Sequence, residues 1–198
     1  MNIVCNNCVG GRLYESIKEQ FSSPFIWERI EHADFMYLIK NFKNINFKNT
    51  EFSLEYYKSK DYQNVLCRVD NKISIHFTHY VYDKDTENPT KRNLDILYKD
   101  ILTYCKSKYL TRLSRMVDDP IFVYSLNGFK FSDEEYNKRI KDVSLINDKC
   151  IYLITYESKP INIDLPNNIK VIYVKDEIMD STTAAVAKYI KNIITNNE

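Results

Sequence analysis

The first third of the chain predicts a strand and two helices from its apolar spacing. Asn2 to Cys5 is a short apolar run, and Gly10-Gly11 break it before helical spacing from Arg12 to Gln20. Asp34 to Phe42 predicts a second helix with Asp34 as its cap. Its expected inward residues are Phe35, Leu38, Ile39 and Phe42. The chain therefore opens as strand, turn and helix.

The middle of the chain is rich in strand patterns. Strands are predicted over residues 51–57, 64–69 and 72–80, and Asp70-Asn71 has the turn chemistry of a hairpin between the last two. From Asn93 to Val117 the apolar residues recur at helical spacing. This spacing predicts one long helix, or two joined near residues 106–108.

The last third alternates strands and helices. Ile121 to Leu126, Cys150 to Tyr156 and Lys170 to Val174 are apolar runs typical of strands covered on both faces. Ser132 and Glu135 form a capping box for a helix that ends near Ile146, and residues 182–194 predict a closing helix. The pattern predicts one α/β domain over residues 1–198, with a three-layer α/β/α, mostly parallel, Rossmann-like sheet and an added antiparallel hairpin.

Composition and charge narrow the class of protein without giving a function. The 198 residues are 44% hydrophobic and 28% charged, which excludes a disordered chain. A net charge of +1 gives no whole-molecule attraction to nucleic acid or to an anionic membrane. Apolar runs such as Ile151 to Tyr156 fall far short of the roughly 18 residues of a membrane span. We therefore expect a cytoplasmic protein with neither a nucleic-acid partner nor a membrane span.

The five cysteines have no disulfide-framework spacing, and their odd number suits a reducing compartment. Cys67, Cys105 and Cys150 each lie in an apolar-periodic segment. A free cysteine in such a segment usually behaves as a small hydrophobe. We expect all three in the core.

The segment from Cys5 to Gly11 falls where the first strand ends and the first helix begins. In open α/β sheets ligands bind at that edge. A thiol at Cys8 would lie near a helix N-terminus, which stabilises a thiolate, and Gly10 and Gly11 would allow a close approach of substrate. The simpler alternative is a glycine-rich turn with incidental cysteines.

Two of the three histidines lie in one strand pattern, at positions 76 and 79. Alternation puts Phe77 and His79 on one face and His76 on the other. His79, at the end of the strand, is better placed for an exposed edge, whereas His76 could be structural. His32 is most simply a surface or turn residue.

Three chemistries compete for these groups. In a Cys/His pair the imidazole takes the thiol proton, the thiolate attacks an acyl or similar electrophile, and backbone amides near Gly10 and Gly11 stabilise the oxyanion. A zinc site from Cys5, Cys8, His76 and His79 has suitable ligands, but strand alternation separates the histidines. A CxxC thiol oxidoreductase is the third alternative, although Cys5 is expected inside the strand.

Arg112 and Arg115 are three residues apart in the predicted long helix. That spacing would let them clamp a phosphate or carboxylate of a substrate. A solvated helix end that complements its own dipole is the more common explanation of such a pair.

Several motifs follow one another in a fixed order along the first two thirds of the chain. They are Asn6-Asn7-Cys8-x-Gly10-Gly11, Tyr14, Ser23-Pro24-Phe25, Asp34-Phe35 and Ile75-His76-Phe77-x-His79-Tyr80. Together they resemble a bacterial family of unknown function, DUF1919, whose members often occur among genes for capsule or exopolysaccharide biosynthesis. The order of motifs is also similar to DUF1796, a family assigned to the papain-like cysteine peptidases. The resemblance covers residues 3–126 best.

The resemblance implies Cys8 as the family cysteine, His79 as the family histidine and His76 as its companion. It also implies Arg112 and Arg115 as the arginine helix. Cys5 has no counterpart in the first family, which typically has Ser there, and Val9 stands where Trp is usual.

We accordingly expect a cysteine-dependent hydrolase or transferase acting on a small-molecule or glycan-type precursor of the cell envelope, with no cofactor and no metal. Substrate contacts are expected from Asn6, Asn7, Gly10, Gly11, Arg112 and Arg115. Asp118 and Asp119 are candidates for a third catalytic member. The alternative is a non-catalytic sugar- or phosphate-binding or assembly protein of a polysaccharide pathway.

Overall fold

A computed structural model describes residues 2–7, 10–11, 22–25, 28–56, 63–77, 91–126 and 131–174 of the chain. In chain order the described elements are β1 (Ile3–Cys5), β2 (Arg29–Ile30), α1 (His32–Asn41) with a 3-10 turn (Phe42–Asn44), β3 (Thr50–Tyr56), β4 (Gln63–Val69), β5 (Ile73–Phe77), α2 (Lys91–Leu113), β6 (Ile121–Ser125), α3 (Asp133–Ser144), β7 (Ile151–Tyr156) and β8 (Ile169–Val174). The helices predicted over residues 12–20 and 182–194 lie outside the described residues.

Four strands form a parallel sheet in the order β1-β6-β7-β8. Val4 pairs with Phe122, and Phe122 pairs with Ile151, so these side chains share one face. The other face carries Val123 and Tyr152, and the side chains on both faces are buried. The apolar runs are therefore strands of a parallel sheet, as predicted.

The remaining four strands form a second, antiparallel sheet in the order β2-β5-β4-β3. Asp70 and Asn71 join β4 to β5 with φ of 53° and 54°, and Lys72 N donates to Val69 O over 3.0 Å. Two successive positive φ values are typical of a type I′ hairpin turn, which Asn and Asp tolerate. The predicted hairpin is confirmed, but it belongs to a separate sheet and does not extend the parallel one.

The first described helix, α1, begins two residues earlier than predicted. Asp34 lies inside its first turn, and its Oδ2 accepts a hydrogen bond from Ser74 N over 2.8 Å. The prediction of Asp34 as the cap is therefore wrong, because this carboxylate binds the second sheet. The residues predicted to face inward are all buried: Phe35, Leu38 and Ile39 of α1, and Phe42 of the 3-10 turn that follows it.

The long helical pattern is one helix, α2, which ends at Leu113 and not at Val117. In α3, Ser132 is the N-cap and its Oγ accepts from Glu135 N over 3.2 Å, which confirms the predicted start. The Glu135 side chain binds Arg139.

The strand order of the parallel sheet does not reverse within the described residues. Right-handed crossovers between strands added in one direction place their connections on the same face. The α/β class is confirmed, while the three-layer Rossmann-like arrangement stays a prediction.

One cluster of buried side chains joins the two sheets and the helices. Cys67 and Cys105 belong to it, as predicted, whereas Cys150 is exposed, so the prediction that Cys150 is in the core is wrong. Cys150 lies one residue before β7, outside the run of buried residues that begins at Ile151. Among the described helices, none combines the length and apolar character needed to cross a membrane.

Candidate functional site

Asn6 holds the carboxyl end of β1 in place. Its Oδ1 accepts from Ser125 N over 2.8 Å and its Nδ2 donates to Ser125 O over 3.0 Å, so the side chain extends the β1–β6 ladder by one step. The Asn6 side chain is buried. These contacts make Asn6 an anchor of the strand end, and its predicted contact with a substrate stays a prediction.

The chain turns directly after this anchor. Asn7 Oδ1 accepts from Cys5 Sγ at 3.6 Å, and Asn7 O accepts from Gly10 N at 3.4 Å. Gly10 and Gly11 are helical and buried. The predicted strand and turn are thus present, but Gly10 and Gly11 are already helical, whereas they were predicted to form a break before a helix starting near Arg12. Cys8, the predicted nucleophile, lies outside the described residues.

The second predicted motif begins in β5. Ile73, Ile75 and Phe77 are buried and His76 is half-buried, so the predicted alternation of faces holds as far as Phe77. His76 lies opposite Arg29 of β2 and Leu66 of β4. His79 lies outside the described residues.

The short strand β2 connects these two regions. Ile30 N donates to Asn6 O over 2.9 Å, and Ile30 also pairs with Ile75 in the second sheet. Asn6 comes two residues before Cys8, and Ile75 comes four residues before His79. The structure therefore joins the chain segments that lead to the two predicted catalytic residues.

The two predicted arginines are not together on one helix face. Arg112 is buried in the last turn of α2, where its Nη1 lies 3.5 Å from Glu28 Oε1. Arg115 follows the end of the helix, in a turn where its N donates to Arg112 O, and it is exposed. The expected shared face is wrong because the helix ends between them. Asp118 and Asp119 are both exposed in the loop that follows.

Glu28 is a functional candidate that the sequence reasoning missed. Its side chain is 0% exposed. Burial raises the pKa of this carboxyl well above its ordinary value, and Arg112 opposes the rise. The available signal was a single acid in the apolar run from Phe25 to Ile30.

Two buried thiols lie within the electrostatic reach of Glu28. Burial and the Glu28 charge raise the pKa of Cys67, and the same causes raise the pKa of Cys105 to about 12. Both cysteines are therefore thiols at neutral pH and are not nucleophiles.

His32, expected at the surface, is instead part of a mostly buried network. Its Nε2 lies 2.9 Å from Asp142 Oδ2 and its Nδ1 lies 2.7 Å from Tyr124 Oη, which also accepts from Arg139 Nη1 over 3.2 Å. Since a carboxylate only accepts, Nε2 carries the hydrogen and Nδ1 of the neutral ring accepts from Tyr124. Burial lowers the pKa of His32, against the effect of Asp142. The network ties α1 to β6 and α3.

Of the four residues in the alternative zinc site, Cys5 and His76 are described. Cys5 is fully buried in β1, within the strand as predicted. Across the described stretches of the chain, no three His, Cys, Asp or Glu side chains are grouped so that they could share a metal ion.

The fold defines a mixed α/β protein whose first parallel strand ends beside a second, antiparallel sheet. Comparison with known families gives a more specific assignment. The chain belongs to the DUF1919 family, a domain of unknown function, whose sequence profile matches residues 1–193. A comparison with curated proteins found no match. The resemblance to DUF1919 inferred from the ordered motifs is confirmed.

Proposed function

We propose that this protein is a cysteine-dependent hydrolase or transferase in which Cys8 is the nucleophile and His79 is the base. The observation that carries the proposal is the backbone bond from Ile30 N to Asn6 O, together with the pairing of Ile30 and Ile75. Ile30 of β2 thus contacts both the end of β1, which leads toward position 8, and β5, which leads toward position 79. The carboxyl end of a parallel strand is also the common location of ligand sites in α/β proteins.

The proposed reaction has two steps, acylation of Cys8 and transfer of the acyl group from Cys8 to water or to an acceptor. Cys8 gives its proton to the His79 imidazole, and its sulfur bonds to the acyl carbon of an ester or amide on a glycan-type precursor. The leaving oxygen or nitrogen departs with the proton from His79, which leaves a thioester. Water, or an acceptor hydroxyl in a transferase, then attacks the thioester and gives its proton through His79, and the Cys8 thiol is restored.

Other groups in the proposal act around this pair. Backbone amides near Gly10 and Gly11 supply the oxyanion donors, although Gly10 N already donates to Asn7 O over a long 3.4 Å bond. His76 is the companion histidine, one residue before the end of β5. The cell-envelope substrate class rests on the genomic setting expected for the family and not on a contact within the fold.

We also propose that the parallel sheet is the middle of three layers and that the protein is cytoplasmic. Both sheet faces are buried: Phe122 and Leu153 on one, and Val123 and Ile154 on the other. The four described cysteines carry free thiols, as expected in a reducing compartment.

Acylation by a simple ester tests the enzyme proposal without knowledge of the natural substrate. We expect p-nitrophenyl acetate to release a burst of p-nitrophenolate and to leave one acetyl group on the peptide that contains Cys8. Cys8→Ser and His79→Ala should remove the burst, whereas Cys150→Ser, a change at an exposed thiol, should retain it. An undiminished burst from Cys8→Ser would refute the nucleophile.

A different experimental result would support the alternative, a non-catalytic binding function. If acylation is absent and a sugar phosphate raises the Tm of the wild-type protein and of Cys8→Ala and His79→Ala equally, the edge holds a ligand without a nucleophile. That result would replace the enzyme proposal.

A further inference from the structure

Four side chains form a continuous hydrogen-bonded chain between α1, β6 and α3. His32, the first residue of α1, lies 2.9 Å from Asp142 through Nε2 and 2.7 Å from Tyr124 through Nδ1. Tyr124 Oη also accepts from Arg139 Nη1 over 3.2 Å. Tyr124 is 0% exposed and the His32 side chain is 14% exposed, so water has little access to replace a bond that is lost.

This chain of bonds is complete in one protonation state only. With a neutral ring, Nε2–H donates to Asp142, and the Tyr124 hydroxyl donates to Nδ1 while it accepts from Arg139. A second proton on His32 makes Nδ1 a donor, so the hydroxyl hydrogen must turn away from the ring. Within the described stretches, Tyr124 Oη bonds to His32 and Arg139, and neither could then accept that hydrogen. A buried donor left in this state is costly.

The charges around His32 also disfavour the protonated ring. Burial lowers the pKa of His32, and the cations Arg139 and Lys138 of α3 lower it further. Asp142 opposes them, but its side chain is 35% exposed, which weakens its attraction for the imidazolium. From β6 the ring faces Tyr124, whose own pKa is raised by burial to about 12, so the phenol stays neutral.

His32 lies next to the backbone bond that joins the two sheets. Ile30 N, two residues earlier, donates to Asn6 O over 2.9 Å. The first turn of α1 is closed by Phe35 N, which donates to Glu31 O over 2.9 Å. His32 therefore holds the chain at the junction of β2 and α1, whereas the remainder of α1 is held by its buried apolar face.

We propose that His32, Tyr124, Arg139 and Asp142 form a proton-sensitive latch that holds the β2–α1 junction against β6 and α3 at neutral pH and releases it in acid. Protonation of His32 removes the bond from Tyr124 and opens the first turn of α1, while the parallel sheet stays folded. The inference is independent of the proposed function, since no step involves Cys8 or His79.

Amide hydrogen exchange of Ile30 and Phe35, followed by NMR from neutral into acid pH, tests the latch. Protection, the exchange rate of an unfolded chain divided by the measured rate, corrects for the direct effect of pH. The open junction binds one more proton than the closed one, so protection should fall by up to about tenfold per pH unit below roughly pH 6.5. His32→Gln should remove this fall. Asp142→Asn should make the total fall larger, because Asp142 favours the imidazolium.

Low concentrations of urea separate release of the latch from unfolding of the whole protein. A local opening exposes little surface, so exchange of Ile30 and Phe35 in acid should be almost independent of urea. Ile151, whose N donates to Asn168 O between β7 and β8, should exchange faster as urea is added. The same urea dependence at the junction amides as at Ile151 would overturn the latch.

Two further results would also overturn it. One is a protection of Ile30 and Phe35 that does not change with pH in the wild-type protein, and the other is a fall that persists in His32→Gln. If His32→Gln does not fold, Tyr124→Phe takes its place. It should lower protection already at neutral pH and reduce the further fall in acid, because no hydroxyl hydrogen is then displaced, and an undiminished fall counts against the latch.

Discussion

Removal of Arg112 should destabilise the protein in a way that depends on pH. Arg112→Met keeps most of the side-chain volume and leaves Glu28 in the core without its cation. Breaking a buried ion pair by removing one partner costs about 3–5 kcal/mol. Glu28 can reduce this cost by taking up a proton, because burial already raises its pKa.

The sign and size of the pH dependence follow from proton linkage. The unfolded Glu has a pKa of about 4.3, and the folded value is raised, so the folded state binds more protons above that pH. The stability contribution of Glu28 is therefore full below about pH 4.3 and is lost as pH rises through the folded pKa. The slope of the free energy of unfolding is at most about 1.4 kcal/mol per pH unit, in the range where the unfolded Glu28 is ionised and the folded Glu28 is protonated.

Urea unfolding followed by circular dichroism at pH 5, 6, 7 and 8 measures this effect. Arg112→Met should lose more stability at pH 8 than at pH 5. The double variant Glu28→Gln/Arg112→Met should not show this additional pH dependence of the free energy of unfolding. Arg112 has further contacts, whose loss persists in the double variant. Arg112→Lys, with a retained charge, serves as the milder variant. If the free energy of unfolding depends on pH equally in Arg112→Met and in the double variant, the assignment of Glu28 as a buried, titrating acid is refuted.

Three further predictions concern stability. Since burial lowers the pKa of His32, the folded protein should lose stability as pH falls below about 6.5, and His32→Gln should remove that acid-side loss in the same urea series. Ser132→Ala should cost about 1 kcal/mol through loss of the cap of α3, whereas Ser144→Ala at the other end of the helix should cost less; equal costs would contradict the capping role. Asn71→Ala should lower the Tm, and Asn71→Gly should retain or raise it, because φ is 54° there; a stabilised Ala variant would contradict the turn geometry.

The elements that could be predicted from sequence are those set by local chemistry. The apolar runs of β6 and β7 form strands, Asp70-Asn71 forms the turn, and Ser132 caps α3. Each depends on residues close together in the chain, so a single sequence contains the necessary information.

The missed features depend on contacts between distant residues. His32 contacts Tyr124 and Asp142, which lie 92 and 110 residues away in the chain. Asp34, predicted as a helix cap, instead accepts a hydrogen bond from Ser74, which lies 40 residues away. No local pattern encodes these partners. The separate antiparallel sheet was missed for the same reason, since the choice of neighbouring strands depends on long-range pairing.

The candidate site was predicted in part. The strand end and the turn at Asn7 have the expected arrangement, whereas Gly10 and Gly11 are helical and do not form the predicted break. Glu28 was missed because its burial beside Arg112 depends on a contact between residues that are distant in the chain. Arg112 was predicted to bind substrate, but in the structure it forms a buried ion pair with Glu28.

The central claim is that Cys8 is an activated thiol, and its reactivity relative to Cys150 tests this most directly. Cys150 is an exposed free cysteine and serves as a reference within the same protein, while Cys67 and Cys105 are buried and should be inert. Folded protein with no added metal is treated with iodoacetamide over a range of pH, and each cysteine peptide is quantified by mass spectrometry. The account predicts that Cys8 reacts faster than Cys150 at neutral pH and titrates well below 8.5, the approximate pKa of a free thiol. A Cys8 that reacts no faster than Cys150 and titrates near the free-thiol value would contradict the account.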